Sequence, residues 1–122
     1  MRPWPEKFRD ALLGLWLAIR SERSFTVHLP MAVLVAIFAA ILRVNLPEAC
    51  ILGLCVTLVL AAEMFNTALE RMARAIDCKE NADIAAALDI ASGAVLVASI
   101  GAACVGSAIF LARLGPLLGW WK

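Results

Sequence analysis

From Ile90 to Ala112 the chain carries no Asp, Glu, Lys or Arg, and that run leaves its backbone very few options. Hydrocarbon supplies no water to satisfy peptide N–H and C=O groups, so a segment that enters it must bond its own backbone. A spanning helix needs about 20 predominantly apolar residues, and this stretch meets that requirement without ambiguity. Two further segments follow the same logic. Thr26 to Leu42 has no formal charge beyond His28, and Ala49 to Ala62 is uncharged and continues through Glu63 to Leu69. The first is short for a span; the second reaches full length only with Glu63 inside, sheltered by other helices. Between them Asn45-Leu46-Pro47 marks a short hairpin, because Pro fits a helix start where its missing N–H is not needed.

Composition agrees with a membrane protein. Of 122 residues, 63% are hydrophobic and 17% charged, too apolar for an ordinary soluble domain of this length. No Ser/Pro-rich or charged linker divides residues 1–122, so a single domain is expected. The net charge of +1 gives no reason to expect a nucleic-acid partner. Ahead of the apolar segments, Phe8, Leu12, Leu15, Trp16 and Ile19 recur at helical spacing, while Lys7, Arg9, Asp10 and Arg20 occupy other angles. Trp4 and Trp16 suit the headgroup level. Residues 5–20 are therefore read as a helix lying on the membrane surface, followed by membrane helices over 26–43, 47–76 and 83–112. A cleaved signal peptide fits less well, since the basic region is long, the apolar part amphipathic and no small-residue cleavage site follows. The expected fold is all-α and membrane-integral: a surface helix plus three spans.

Basic residues set the expected orientation. Arg2, Lys7, Arg9, Arg20 and Arg23 precede the first span and Arg71, Arg74 and Lys79 follow the second, against Arg43 alone in the first hairpin. By the positive-inside rule the N-terminus and the 71–83 loop face the cytoplasm; Arg113 and Lys122 depart from it. Cys50, Cys55, Cys78 and Cys104 form no CxxC pair and read as small apolar packing residues. Ala98, Ala102 and Gly106, like Ser99, Ala103 and Ser107, recur every four residues. Such stripes let helices approach closely, either within one chain or between subunits.

The chemistry concentrates in Ala61 to Arg71, AAEMFNTALER. At about 100° per residue Glu63, Asn66 and Glu70 fall within roughly 60° of one another on one helix face. An acidic side chain at the centre of a membrane helix costs ~2.5–3.5 kcal/mol, so such residues face a polar cavity, a metal or a partner. The chain contains no GxxxxGK[ST] loop, GxGxxG turn, GxSxG elbow or HExxH helix, which removes the common nucleotide-binding, hydrolase and metalloprotease templates. A pair of carboxylates could instead hold Mg²⁺ and, through it, nucleotide phosphates. A third could accept a proton from a lipid hydroxyl, which together meets the minimum for phosphoryl transfer.

The order Phe8, Gly14, Ala18, Glu22, Phe25 and His28, then Glu63-Met64-Phe65-Asn66-Thr67-Ala68-Leu69-Glu70, then Asp89 before Ser92-Gly93-Ala94-Val95-Leu96, resembles the small prokaryotic diacylglycerol kinase and undecaprenol kinase family over nearly the whole chain. The ExxNTAxE block is the specific part. The resemblance implies a surface helix, three membrane helices and a homotrimer in the bacterial cytoplasmic membrane, with active sites between subunits. It implies transfer of the ATP γ-phosphate to a membrane lipid alcohol. It assigns Glu22 and Glu70 to Mg²⁺-ATP and Glu63 to the role of general base. Asn66 would orient these groups or contact the nucleotide, and Asp89 would support the site from the third span. The segment RSERSFTVHL looks closer to the undecaprenol kinase branch, with His28 where the enterobacterial diacylglycerol kinases carry an acid. His28 itself is read as an interfacial polar residue outside the site.

Two positions depart from the family pattern, which has Asp where this chain has Arg74 and Lys where it has Leu88. A cation at position 88 would neutralise the transferring phosphate. Arg74 lies eleven residues after Glu63 and within about 20° of it around the helix, on the carboxylate face, and is expected to supply that cation. Duller readings stand beside these. Glu22 could be a solvated charge beside Arg20 and Arg23, Glu70 could pair with Arg74 one turn on, Asn66 could bond a neighbouring helix, and Asp89 could sit in the first turn of its helix. The whole chain could also be a degenerate relative serving as a structural membrane subunit, or a proton- or ion-conducting oligomer lined by Glu63.

Overall fold

Each apolar segment becomes one helix. The computed structural model describes residues 3–21, 23, 25–76 and 81–120, and these form α1 (Trp4–Ser21), α2 (Phe25–Ile41), α3 (Leu46–Ile76) and α4 (Ala82–Leu117), with no strand among them. Glu22, Cys78, Arg2, Lys79 and Lys122 lie outside the described residues. α3 and α4 are each long and apolar enough to cross a membrane, and the tally reaches three if α1 and α2 together make one bent span. The 17 residues of α2 rise about 26 Å, slightly less than the ~30 Å hydrocarbon thickness. Pro30 lies inside α2 and deletes one ladder hydrogen bond, a loss that membrane helices accommodate.

α1 packs against α2 and α3, yet most of its apolar side chains face outward. Trp4, Phe8, Leu12, Leu15 and Trp16 are all exposed, whereas Ala18 is buried. Lys7 places its ammonium 5.1 Å from the centroid of the Trp4 ring, a cation–π contact that holds a basic and an aromatic group at one level. An outward apolar stripe bordered by charge is the pattern of a helix that lies in a membrane interface.

Local chemistry determines the turn between α2 and α3. Arg43 takes a left-handed backbone conformation with φ 53°, and the Val44 and Arg43 amides bond back to the carbonyls of Ala39 and Ala40 at 3.2 and 3.3 Å. This is a Schellman closure with Arg where Gly is normally preferred. A Cβ in that conformation costs about 1 kcal/mol, so Arg43→Gly should raise the thermal unfolding midpoint in detergent while Arg43→Ala does not. At the far end of α4 the same closure uses Gly119, with φ 75°, and there the residue suits the backbone.

Two residues after Arg43 a reciprocal cap opens α3. The Glu48 amide donates to Asn45 Oδ1 at 2.9 Å and the Asn45 amide donates to Glu48 Oε1 at 3.0 Å, the capping-box arrangement. Asn45→Ala should cost about 1 kcal/mol, read as a lower midpoint in the same unfolding assay, whereas Asn45→Asp should cost little. Glu48 has a second task, because Arg113 donates to the same Oε1, through Nε at 2.9 Å and through Nη2. A contact between the start of α3 and the end of α4 requires the two helices to run antiparallel.

α3 and α4 form the closest helix pair of the fold. Ala98 is buried and Gly106 approaches Leu52 closely enough that an added Cβ would meet Leu52 Cδ2 at 3.8 Å. Of the Ala98, Ala102, Gly106 stripe, Gly106 therefore packs within the chain, against Leu52 of α3. α2 meets α4 through Phe38 and Phe110, whose ring centroids are 6.1 Å apart. Between α2, α3 and α4 lies an apolar cavity of about 340 Å³, bounded by residues that include Val27, His28, Met31, Leu52, Cys55 and Gly106.

Candidate active site

α3 is much longer than the membrane core, and that length decides where its polar residues lie. Thirty-one residues rise about 46 Å, against ~30 Å of hydrocarbon. With the Asn45, Glu48 and Arg113 cluster marking one boundary, the other falls near Glu70, and Glu63 lies about 10 Å inside it. The buried positions Leu52, Glu63 and Thr67 follow helical spacing along one side of α3, so an apolar stripe turns polar as it approaches that boundary.

Glu63 is only 5% exposed. Its Oε1 lies 3.0 Å from Nε2 of His28 on α2. An ionised carboxylate can only accept hydrogen bonds, so with Glu63 ionised Nε2 is the donor. Its other oxygen, Oε2, is buried without a partner among the described residues. A buried carboxylate oxygen without a donor costs about 1–3 kcal/mol or more, so each such atom in a native structure calls for an explanation. One turn along, Asn66 donates Nδ2 to Glu70 Oε1 at 2.9 Å, while its Oδ1 is likewise buried without a partner. Two unpartnered oxygens, one carboxylate and one amide, thus lie one turn apart on α3.

The remaining residues of the expected site are placed less tightly. Arg74 is exposed and donates Nε to the Glu70 carbonyl at 3.4 Å, which anchors its stem one turn past Glu70. Asn66, rather than Arg74, thus supplies the side-chain hydrogen bond to the Glu70 carboxylate. Asp89 is exposed on α4. It is not a first-turn acid: the cap is Asn81, whose side chain accepts from the amides of Asp83 and Ile84 at 3.0 and 3.1 Å, and Asp89 lies two turns further on. The register fixed by Glu48 and Arg113 puts Asp89 level with Met72 and Leu88 level with Ala73, to within about a turn. Asp89 therefore reaches the height of the Glu70 end of α3. Glu22 lies outside the described residues.

His28 is the residue that sequence reasoning left out. Its signals were its place in the family pattern and a lone ionisable side chain in an otherwise uncharged span, which a membrane setting marks as functional by default. Among the described residues no group of three or more His, Cys, Asp and Glu forms a metal cage. One or two carboxylates are what Mg²⁺ takes from a protein, with phosphate and water completing its shell. Glu70, steadied by Asn66, meets that description.

A helical membrane protein with a half-wired carboxylate face at one boundary is the class these features define. Residues 9–110 match the family of prokaryotic diacylglycerol kinases, and the chain belongs to that family. It is similar to a diacylglycerol kinase of Synechocystis sp., 34% identical over 112 residues, an alignment that covers 91% of this chain. The chain spans 64% of the length of that relative. No solved structure matches it.

Proposed function

We propose that this protein phosphorylates a membrane lipid alcohol, diacylglycerol or undecaprenol, with the γ-phosphate of ATP at the cytoplasmic face of the bacterial inner membrane. The observation that carries the reading is Glu63, a buried carboxylate with one oxygen fixed by His28 and the other unpartnered. Glu63 Oε2 accepts the proton of the lipid hydroxyl as its oxygen bonds to the γ-phosphorus. The bond from that phosphorus to the β,γ-bridging oxygen breaks, and ADP leaves with the electron pair. General-base help of this kind contributes about 10²–10⁴-fold.

Glu22 and Glu70 would hold Mg²⁺, which when bound neutralises phosphate charge and draws the phosphates into line. Asn66 orients the Glu70 carboxylate through the 2.9 Å bond and turns its Oδ1 to the nucleotide. Asp89 supports the nucleotide from α4, level with the end of α3 that bears Glu70. Arg74 supplies the cation that Leu88 lacks; the near-equal heights of positions 74 and 88 favour this. The exposed apolar faces of α1 and α4 suit assembly in lipid, and a homotrimer would complete each site from a neighbouring subunit. Residues 1–122 act as one catalytic domain, with α1 on the membrane surface and the other three helices spanning it.

The test is transfer of labelled γ-phosphate from ATP to each lipid by the purified chain in detergent micelles, with and without Mg²⁺. Product that needs Mg²⁺ establishes the kinase and names its acceptor. ATP-independent proton flux in liposomes that requires Glu63, with no lipid product, would replace this reading with a conducting oligomer. Absence of both would leave a structural subunit.

A further inference from the structure

We infer that His28 is a positioning residue for the base: it holds Glu63 Oε1 from a neighbouring helix so that Oε2 alone meets the acceptor hydroxyl. The inference rests on the kinase reading above and names a partner within it. Three observations support it. Nε2 of His28 lies 3.0 Å from Oε1, and the carboxylate is 5% exposed, so water does not compete for that oxygen. Among the described residues the second oxygen is buried without a donor, so there the carboxylate is wired on one side only. His28 also forms part of the wall of the apolar cavity between α2, α3 and α4, which makes it a joint between an apolar chamber and the base.

The geometry has a physical consequence. The terminal torsion of a glutamate is broad and roughly two-fold, so without a partner the plane of its carboxylate swings. A donor fixed on α2 holds that plane, so the oxygen not bonded to Nε2 keeps one place. Positioning of this kind is costly to lose, since a misplacement of about 1 Å can cost 10²-fold in rate. α2 contains no other ionisable side chain, so His28 is the one residue of that helix able to make a charge-assisted bond to Glu63.

The experiment uses the full chain in micelles with ATP and whichever lipid the native protein phosphorylates. His28→Leu keeps the apolar wall and removes the donor. It should lower kcat about 10–100-fold while leaving the KM for ATP near its native value. His28→Gln carries an amide nitrogen able to donate to the same oxygen and should recover most of the loss. In a Glu63→Gln background, His28→Leu should cost almost nothing more, because a residue that acts through the base has no effect once the base is gone. Equal losses in the Leu and Gln variants, a cost that multiplies with Glu63→Gln, or an unchanged kcat in His28→Leu would each overturn the inference while leaving the kinase reading intact. No transfer by the native protein would overturn both.

Discussion

Glu63→Gln is expected to lower the turnover number for lipid phosphorylation about 10²–10⁴-fold and to leave the fold in place. The two halves of that expectation come from different atoms of one side chain. Glutamine is close to isosteric, and its amide oxygen accepts from His28 Nε2 as Glu63 Oε1 does at 3.0 Å, so the α2–α3 contact survives. The atom that changes role is Oε2, buried and unpartnered, which becomes an amide NH₂ unable to take a proton. The loss corresponds to ~3–5 kcal/mol of transition-state stabilisation. Initial rates at saturating ATP and lipid measure it, and size-exclusion chromatography in the same detergent reports the fold. A variant that retains native turnover would remove Glu63 from the chemistry.

Arg74→Ala is expected to lower turnover about 10²–10³-fold, the usual loss when one stabiliser of transferring charge is removed. Arg74 is exposed and its stem is held by the Glu70 carbonyl. The register of α3 against α4, fixed by Glu48 and Arg113, puts position 88 almost level with position 74. A cation restored at 88 should therefore substitute for one removed at 74. Arg74→Ala with Leu88→Lys should regain at least about tenfold over Arg74→Ala alone. If Arg74→Ala turns over normally, the missing lysine is not replaced from α3. If the single variant is inactive and the double variant gains nothing, Arg74 does some other work. Phosphoryl transfer rests largely on such charge placement, which is why these two predictions carry the largest effects.

Much of this site could be read from the sequence because its residues share one helix. Glu63, Asn66 and Glu70 are related by steps of three and four, and a 3.6-residue period brings them to one face in any helix. Asn66 bonding to Glu70 at 2.9 Å is a local consequence of that period. The reading of Asp89 as a first-turn acid failed for an equally local reason: Asn81 is the stronger cap, and it starts α4 two turns earlier. His28 was read as an interfacial polar residue; its partner is 35 residues away, and no period or spacing within one segment links them.

By itself the sequence determined the helical membrane class, since long apolar runs leave the backbone no other way to satisfy its polar groups. It also determined the carboxylate face of α3, since helical geometry is the same wherever the helix is put. Only the tertiary structure decided which of those carboxylates would be held and from where. The antiparallel register of α3 and α4 comes from Glu48 meeting Arg113, and the asymmetry of Glu63 comes from His28 on α2. Both depend on how separate helices pack, and packing in lipid is chosen by shape and by a few interhelical hydrogen bonds rather than by any pattern within one segment.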